Sequence, residues 1–369
     1  ETDLAQREST CTTCSVGCRT VVQSSRDELL RYQGVDSDPV NWGWLCDRGR
    51  FNFEATNSDH RLTGPLLQTE SGLESASWSV ALRAAATLIT DSLAAGGPDS
   101  IGVLGGARGS NEDAFAWAQL ADAIGVTHRD AQVGDGLPAG ILGLDRATID
   151  DAANAATVIL LGPDLKEELP VLYLRLRDAA EKKRTRIIEL STFDTGMSPY
   201  AWTSVRYEPG AQQEAAAKLL ADADIAEQVA SGDVVIVAGR PNLAESAEAT
   251  VAALQTLLDG CPDATVLPAL RRGNVVGALS LGMAPADDDH DGLATLRAAA
   301  DGKLELLVLL GADPLNDCPD ADLARRAIAG ARRVLAIDTF PCESAQHADV
   351  VLAASAYGEK AGTTTNLEG

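Results

Sequence analysis

Short aliphatic runs that alternate with helical stretches constrain the architecture of this 369-residue chain more than any other feature. Buried strands separated by helices are typical of parallel sheets covered by helices on both faces. The runs are too numerous for one sheet, so the pattern predicts two doubly wound α/β domains. The runs are IGVLGG (101–106), TVILLG (157–162), TRIIEL (185–190), DVVIVAG (233–239), LELLVLLGADP (304–314), RRVLAIDT (332–339) and ADVVLAAS (348–355).

Amphipathic segments between the runs predict the covering helices. SWSVALRAAATLITDSLAAGG has Ser77 as an N-cap and Gly96 as a stop, and NEDAFAWAQLADAIG (111–125) has acids in its first turn. Further helices are predicted from Pro170 to Lys183 and from Leu243 to Leu258. Hydrophobic residues make up 45% of the chain and aromatic residues only 4%, so the cores must be aliphatic.

The first 62 residues differ from the rest. VVQSS and LLRYQGV predict two short strands joined by a turn at Arg26 and Asp27, in a module too small to be stable without a staple. The Gly-Pro of RLTGPLLQ marks its exit. The predicted organisation is a β-rich module at 1–62, a discontinuous Rossmann-like domain at 63–145 and 291–369, and a second α/β domain inserted at 146–290.

The charge of the chain limits its partners. Thirty basic residues against 54 acidic ones give a net charge of -24, which argues against nucleic acid or an anionic membrane surface as a partner. No apolar run reaches the length of a membrane span, so no membrane insertion is expected. The chain starts at Glu1 and stops after TTTNLEG without a terminal element, which suggests a segment of a longer protein.

Four of the seven cysteines lie in the first 46 residues, in CTTCSVGC (11–18) and at Cys46. An odd number of cysteines in a large chain does not indicate a disulfide scaffold, and in a reducing cytosol clustered thiols usually bind metal. Zinc sites commonly pair two C-x2-C units. Three close ligands with one distant ligand fit a cubane iron–sulfur cluster better, although zinc stays open. Small residues between the cysteines would let backbone N–H groups reach the sulfurs.

The spacing C-x2-C-x3-C-x27-C followed by DRGRF resembles the amino-terminal cluster module of the molybdopterin oxidoreductase superfamily. Later stretches resemble the family in the same order. The resemblance implies the superfamily's α/β fold and one [4Fe-4S] cluster held by Cys11, Cys14, Cys18 and Cys46. Those stretches are SNEDAFAWAQLADAIG, LLGPDLKEELPVLYLRLRDAA, GNVVGALSLGMAP, LLGADPLND and HADVVLAASAYGEKAGTTTNLEG.

Two branches of the superfamily differ in the pterin cofactor. Molybdenum or tungsten enzymes usually have a protein ligand to the metal shortly after the helix that NEDAFAWAQLADAIG resembles. Here VTHRDAQVGDGLPAG (126–140) has no cysteine or serine, and His128 and Asp130 are the only candidates. We expect THRD to be a polar surface loop.

Two further departures favour the branch without pterin. Active relatives commonly have a lysine two residues after the fourth cysteine, where this chain has Arg48. They also usually show Asp-Pro-Arg after a strand, to hold a guanine nucleotide, where this chain reads IIELSTFDTG (187–196). The chain therefore resembles the G subunits of NADH-quinone oxidoreductase (respiratory complex I), which share the fold but lack molybdopterin.

That resemblance implies an iron–sulfur subunit on the cytoplasmic peripheral arm. Its partners would be the other peripheral-arm subunits, including the NADH-binding one. The whole complex would be a proton-translocating NADH:quinone oxidoreductase, with no substrate-converting site in this segment. Electron relay and a structural role stay open for the cluster. The alternatives are a molybdenum or tungsten oxidoreductase such as a formate dehydrogenase, with Asp130 or no protein ligand on the metal, and a zinc-bearing scaffold.

The remaining chemical signals are weak. GVLGGARG (102–109) lacks the spacing of a dinucleotide-binding loop. ADDDHDG (286–292) is interpreted as a solvated turn, and His60, His290 and His347 have no spacing that joins them to cysteine or carboxylate ligands. Cys261, Cys318 and Cys342 are interpreted as ordinary core or loop residues.

Overall fold

The computed structural model describes residues 3–36 and 38–369. The chain divides into two compact units. Unit 1 comprises residues Glu1–Asn52, Gly136–Val276 and Thr365–Gly369, and unit 2 comprises Phe53–Asp135 and Gly277–Thr364. No helix in the described part of the chain has the length and apolar character required to traverse a bilayer.

The strands follow the apolar runs, with polar strands added at the edges. In chain order they are β1 (Ala5–Thr10), β2 (Arg19–Ser25), β3 (Glu28–Gly34), β4 (Leu66–Thr69), β5 (Gly72–Ser75), β6 (Ile101–Gly105), β7 (His128–Asp130), β8 (Thr157–Leu161), β9 (Arg186–Ser191), β10 (Thr203–Arg206), β11 (Val234–Ala238), β12 (Thr265–Pro268), β13 (Leu306–Leu310), β14 (Val334–Asp338) and β15 (Val350–Ala353).

The helices lie mostly between the strands. In chain order they are α1 (Asp47–Phe51), α2 (Phe53–Thr56), α3 (Trp78–Gly96), α4 (Asn111–Ile124), α5 (Ile149–Asn154), α6 (Leu165–Glu168), α7 (Pro170–Glu181), α8 (Gln212–Ala221), α9 (Ala223–Ala230), α10 (Ala247–Gly260), α11 (Val275–Ala278), α12 (Gly292–Ala300), α13 (Pro314–Asp317) and α14 (Ala321–Gly330).

Unit 1 contains two sheets. The smaller is antiparallel with the order β1-β2-β3, and Arg26 and Asp27 make the tight turn between β2 and β3 with positive φ angles of 53° and 63°. The larger is parallel throughout, with the order β10-β9-β8-β11-β12. Its central strands β8 and β11 are buried along their whole length, as expected for a sheet with helices on both faces.

Unit 2 is built on one mixed sheet with the order β5-β4-β15-β14-β13-β6-β7. The strands from β15 to β7 are parallel, and the β4–β5 hairpin adds an antiparallel edge. The core is aliphatic and is formed by β6, β13 and β14 against α12 and α14, through residues such as Leu104, Leu296, Leu309 and Ala327.

The predicted α/β architecture with a small antiparallel sheet is confirmed, and every apolar run forms a strand. The sequence predicted three domains, and their boundaries differ from those of the two compact units. The units place 1–52 with 136–276, whereas the prediction separated 1–62 from an inserted domain at 146–290. A division into domains that fold independently stays a prediction.

Candidate metal centre

Three of the four predicted ligand cysteines lie in the connection between β1 and β2. Thr10 pairs with Arg19 at the end of the ladder, and the Cys11 amide then donates to the carbonyl of Cys18 at 2.8 Å. This bond closes residues 11–18 into a loop that folds back on itself. The side chains of Cys11, Cys14 and Cys18 are all buried.

The fourth cysteine is brought to this loop by a short helix. Cys46 is the N-cap of α1, and its sulfur accepts a hydrogen bond from the Gly49 amide at 3.4 Å. Gly49 lies between two of the thiols, because a Cβ atom added there would meet Cys11 Sγ at 3.0 Å and Cys46 Sγ at 3.8 Å. The structure therefore brings Cys46 close to Cys11, which lies 35 positions earlier in the sequence.

The four thiols are within electrostatic reach of one another. Burial raises the pKa of Cys14 to about 12, and it also raises the pKa values of Cys11 and Cys18. Mutual repulsion among the cysteines, including Cys46, raises these pKa values further. Thiolates in this site therefore need a compensating positive charge, which a bound metal would supply.

Polar groups of the loop point at the sulfurs. The Thr13 hydroxyl lies 3.1 Å from Cys11 Sγ, and the backbone amides of Thr13 and Val16 make hydrogen bonds with Cys11 and Cys14 that favour their thiolate forms. Gly17 has a φ of 66°, which permits the tight turn before Cys18. Such N–H···S contacts stabilise the negative charge of a cluster.

These residues fit an iron–sulfur cluster. The site provides four thiols, a Cβ added at Gly49 would fill the space between two of them, and backbone amides are directed at the sulfurs. Within residues 3–36 and 38–369 no three His, Cys, Asp or Glu side chains come close enough to hold a single ion. That finding concerns sites for one ion. In a cubane each cysteine binds a different iron, so the ligand sulfurs stand further apart.

The loop of residues 11–18 is hydrogen-bonded to distant chain segments whose proximity was not predicted from the sequence. Ser15 Oγ donates to the carbonyl of Leu270 at 2.7 Å, and the amide of Leu367 donates to the carbonyl of Ser15 at 2.8 Å. The side-chain amide of Asn366 donates to the carbonyl of Val16 at 3.2 Å. No periodicity or spacing signal could have predicted these contacts, because they join positions more than 250 residues apart.

A buried arginine holds the segment that leads to Cys46. Arg175 is fully buried on α7, donates to the carbonyls of Pro39 and Val40, and pairs with Asp150. Its guanidinium also lies 3.8 Å from the ring centre of Trp42. Sequence reasoning missed this residue, since an arginine in an amphipathic helix is usually on the surface.

Arg48, two residues after Cys46, is bonded to backbone carbonyls. Its guanidinium donates to the carbonyl oxygens of Glu167 and Glu168, at 2.9 and 2.8 Å, at the end of α6. The residue thus joins α1 to the α/β part of unit 1.

The expectation that THRD (127–130) is a polar surface loop is wrong. Residues His128–Asp130 form strand β7 at the edge of the unit 2 sheet, and Asp130 is buried. Both of its carboxylate oxygens accept backbone amides, from Gln132 at 2.9 Å and from Gly292 at 3.0 Å. The segment is polar because β7 is an edge strand and because the buried carboxylate of Asp130 is hydrogen-bonded to backbone amides. Hydropathy alone indicates neither feature.

Comparison with family models assigns both parts of the chain. The model described as Molybdopterin oxidoreductase Fe4S4 domain matches residues 5–58, and the model described as Molybdopterin oxidoreductase matches residues 61–369. The chain belongs to the molybdopterin oxidoreductase family. The family recognition and the fold class predicted from the sequence are thereby confirmed.

Relatives of this family member include subunits of larger enzymes. The chain is 31% identical to the G subunit of NADH-quinone oxidoreductase from Streptomyces coelicolor, over 100% of its own length and 50% of the relative. It is 25% identical to a provisionally named formate dehydrogenase of Bacillus subtilis, covering 46% of that protein. The chain spans about half the length of the curated relatives it matches.

The solved structure of acetylene hydratase from Pelobacter acetylenicus has the same fold. The TM-score is 0.66 at 13% identity, and the match covers 94% of this chain and 62% of that one. At this identity the match supports the fold of the family member and nothing about its activity.

Proposed function

We propose that this chain is the cluster-bearing, molybdopterin-oxidoreductase-like part of a G subunit of NADH-quinone oxidoreductase. In this proposal Cys11, Cys14, Cys18 and Cys46 hold one [4Fe-4S] cluster, and the α/β sheets form a scaffold without pterin. The observation that carries it is the convergence of the four thiols, which interact electrostatically with one another and of which Cys11 and Cys46 flank Gly49. The whole of this chain aligns with half of the Streptomyces G subunit.

The cluster would exchange one electron at a time when bound. The residues of this chain hold it, exclude water through the burial of Cys11, Cys14 and Cys18, and direct amides at the sulfurs. The expected partners are the other peripheral-arm subunits of complex I, including the NADH-binding one. The complex would be a proton-translocating enzyme, peripheral to the cytoplasmic face of the membrane at this subunit.

The polar groups after β9 support a scaffold without a nucleotide. Glu189 is buried and accepts hydrogen bonds from the hydroxyls of Ser198 and Ser204, at 2.8 and 2.9 Å, and from the Arg206 guanidinium at 3.1 Å. Arg206 donates in addition to Asp194. The hydroxyl and guanidinium donors that could bind a nucleotide phosphate here are therefore hydrogen-bonded to Glu189 and Asp194 instead.

Asp130 also has the environment of a structural residue. Two backbone amides occupy its carboxylate oxygens, and burial raises the pKa of Asp130 to about 7. An anionic metal ligand needs the opposite conditions, an ionised carboxylate with a free lone pair directed at the metal. Arg48, bonded to the carbonyls of Glu167 and Glu168, adds to the support for the branch without pterin.

Elemental analysis of the purified full-length protein tests this proposal. We expect this domain to contribute about four iron and four acid-labile sulfide per chain and to give a paramagnetic signal on reduction. The protein should contain neither molybdenum nor tungsten. About one molybdenum or tungsten per chain would instead establish the molybdenum enzyme that the Bacillus relative suggests. Zinc without sulfide would establish a scaffold.

Substitution of one ligand assigns the cysteines. Cys46→Ala should abolish the cluster of this domain, whereas Cys261→Ala, a buried cysteine in the same unit, should retain it. Unchanged iron in Cys46→Ala would show that Cys46 is not a ligand. NADH:quinone turnover of the assembled complex then distinguishes the two roles, since loss of turnover with intact assembly indicates a relay.

A further inference from the structure

Two of the four histidines form a pair in unit 2, outside the cysteine site. His128 on β7 and His290, in the turn before α12, have ring centres 4.7 Å apart and planes inclined by 52°. Two imidazoles bound to one tetrahedral ion through bonds of about 2.0 Å have ring centres about 5 Å apart. The observed separation therefore suits two ligands of one ion.

The hydrogen bonds of the pair leave one lone pair on each ring. His290 Nδ1 donates to Asp287 Oδ1 at 2.5 Å. The Thr295 hydroxyl donates to the carbonyl of His290 at 3.4 Å, so its oxygen accepts from His128 Nδ1 at 3.5 Å. In the described part of the chain neither Nε2 atom has a hydrogen-bond partner. Both Nε2 atoms are therefore available as ligands.

The surrounding charge favours a cation. Asp99 and Asp287 act electrostatically on His128, and they oppose the burial and the neighbouring His290 that together lower its pKa. The neutral imidazole is the form that binds metal. A carboxylate that accepts from Nδ1 of a histidine, as Asp287 does, is the usual support of a histidine metal ligand.

We propose that His128 and His290 bind a divalent transition-metal ion of the zinc or copper class through their Nε2 atoms, with Asp287 orienting His290. No three candidate side chains converge in the described residues, so water completes the coordination. A bound ion would connect the sheet edge at β7 to the turn at 287–291, the segment interpreted from sequence as merely solvated.

Zinc uptake by the cluster-loaded protein tests this site. The background is a His60→Ala/His347→Ala protein, in which the pair provides the only histidines of this chain. We expect one zinc per chain by equilibrium dialysis, with no loss of iron. His128→Ala and His290→Ala should each weaken zinc binding at least about tenfold, and Asp287→Asn about tenfold. Asp288→Asn, a matched exposed acid one residue on, should leave it within about twofold.

Electron paramagnetic resonance of Cu²⁺ provides a measurement that does not depend on the variants. With the cluster oxidised, one equivalent of Cu²⁺ on the background protein should show hyperfine splitting from two nitrogens. One nitrogen or none would overturn the proposal. Zinc taken up only as iron is lost, or bound equally by folded His128→Ala and His290→Ala proteins, would also overturn it.

Discussion

Gly49 is a position where one added carbon atom would reach two of the four thiols that we propose as cluster ligands. We expect Gly49→Ala to lower the iron content of this domain, because its Cβ would lie 3.0 Å from Cys11 Sγ. Overpacking of this kind costs about 1–3 kcal/mol. The cluster-free protein should be destabilised less, because an unligated Cys11 side chain can rotate away from the added Cβ and alanine favours the helix more than glycine does. Iron and sulfide per chain and thermal unfolding provide the two measurements.

Gly143→Ala is the control for this substitution. An added Cβ at Gly143, in a short 3-10 turn of the same unit, meets no atom within 4 Å. Iron content equal to wild type in both variants would contradict the assigned role of Gly49.

Arg175 gives a second prediction for a single residue. Arg175→Met leaves Asp150 without its partner and releases the carbonyls of Pro39 and Val40. Breaking such a buried pair typically costs about 3–5 kcal/mol, and we expect the lower end because Asp150 is half exposed. Urea unfolding should measure this loss. The iron content should fall as well, since the released segment leads to Cys46.

Arg177→Met provides the matched control on the same helix. Arg177 pairs with Glu181 at the surface, and exposed pairs of this type contribute little. Equal unfolding midpoints for the two variants would show that the Arg175 contacts do not anchor the segment.

At the scale of secondary structure, most of the strands that could be predicted from the sequence are largely buried. Strands such as β8 and β13 are apolar and fully buried, so their runs were visible. The edge strands β1 (AQREST), β7 (HRD) and β10 (TSVR) are polar, and the β4–β5 hairpin lies at a sheet edge. Their pairing depends on backbone bonds to a neighbour that hydropathy does not encode.

The start of α4 holds the segment 360–364 by side chains from three successive residues. Glu112 accepts hydrogen bonds from the Thr363 amide and hydroxyl, both at 2.9 Å, while Asn111 bonds Thr363 and Asp113 pairs with Lys360. Hydrogen bonds from Thr363 lower the pKa of Glu112 from 4.5 to about 2. The ionised form therefore maintains the contact.

This shift predicts how the contact responds to acid. Because the pKa is lower in the folded state, the stabilisation is complete above about pH 4.5 and is lost as the pH falls through about 2. Hydrogen exchange of residues 361–364 should show protection that persists to about pH 3 in wild type. Glu112→Gln should show reduced protection already at neutral pH, and the exposed Glu227→Gln should not. Protection lost near pH 4.5 in wild type would contradict the lowered pKa.

At the scale of the whole chain, the cysteine spacing predicted that four thiols share one site, but not which other segments surround that site. C-x2-C-x3-C and Cys46 indicated one centre, because close thiols must face a common object. The segments at 270 and 365–368 that support the loop come from distant positions. Such contacts depend on the assembled tertiary structure of unit 1, which no local pattern specifies.

These contacts make a prediction about how far loss of the cluster spreads. Cys46→Ala should increase hydrogen exchange in residues 11–18, and the increase should extend to residues 365–369, whose Leu367 amide donates to Ser15. Amides of α4 and β13 in unit 2 should keep wild-type protection, because the hydrophobic core of that unit is formed by its own strands and helices. Cys261→Ala should leave the exchange of both segments unchanged. Increased exchange confined to residues 3–62 would instead show that the cluster module opens as an independent domain, and uniform loss of protection would show that the cluster stabilises the entire chain.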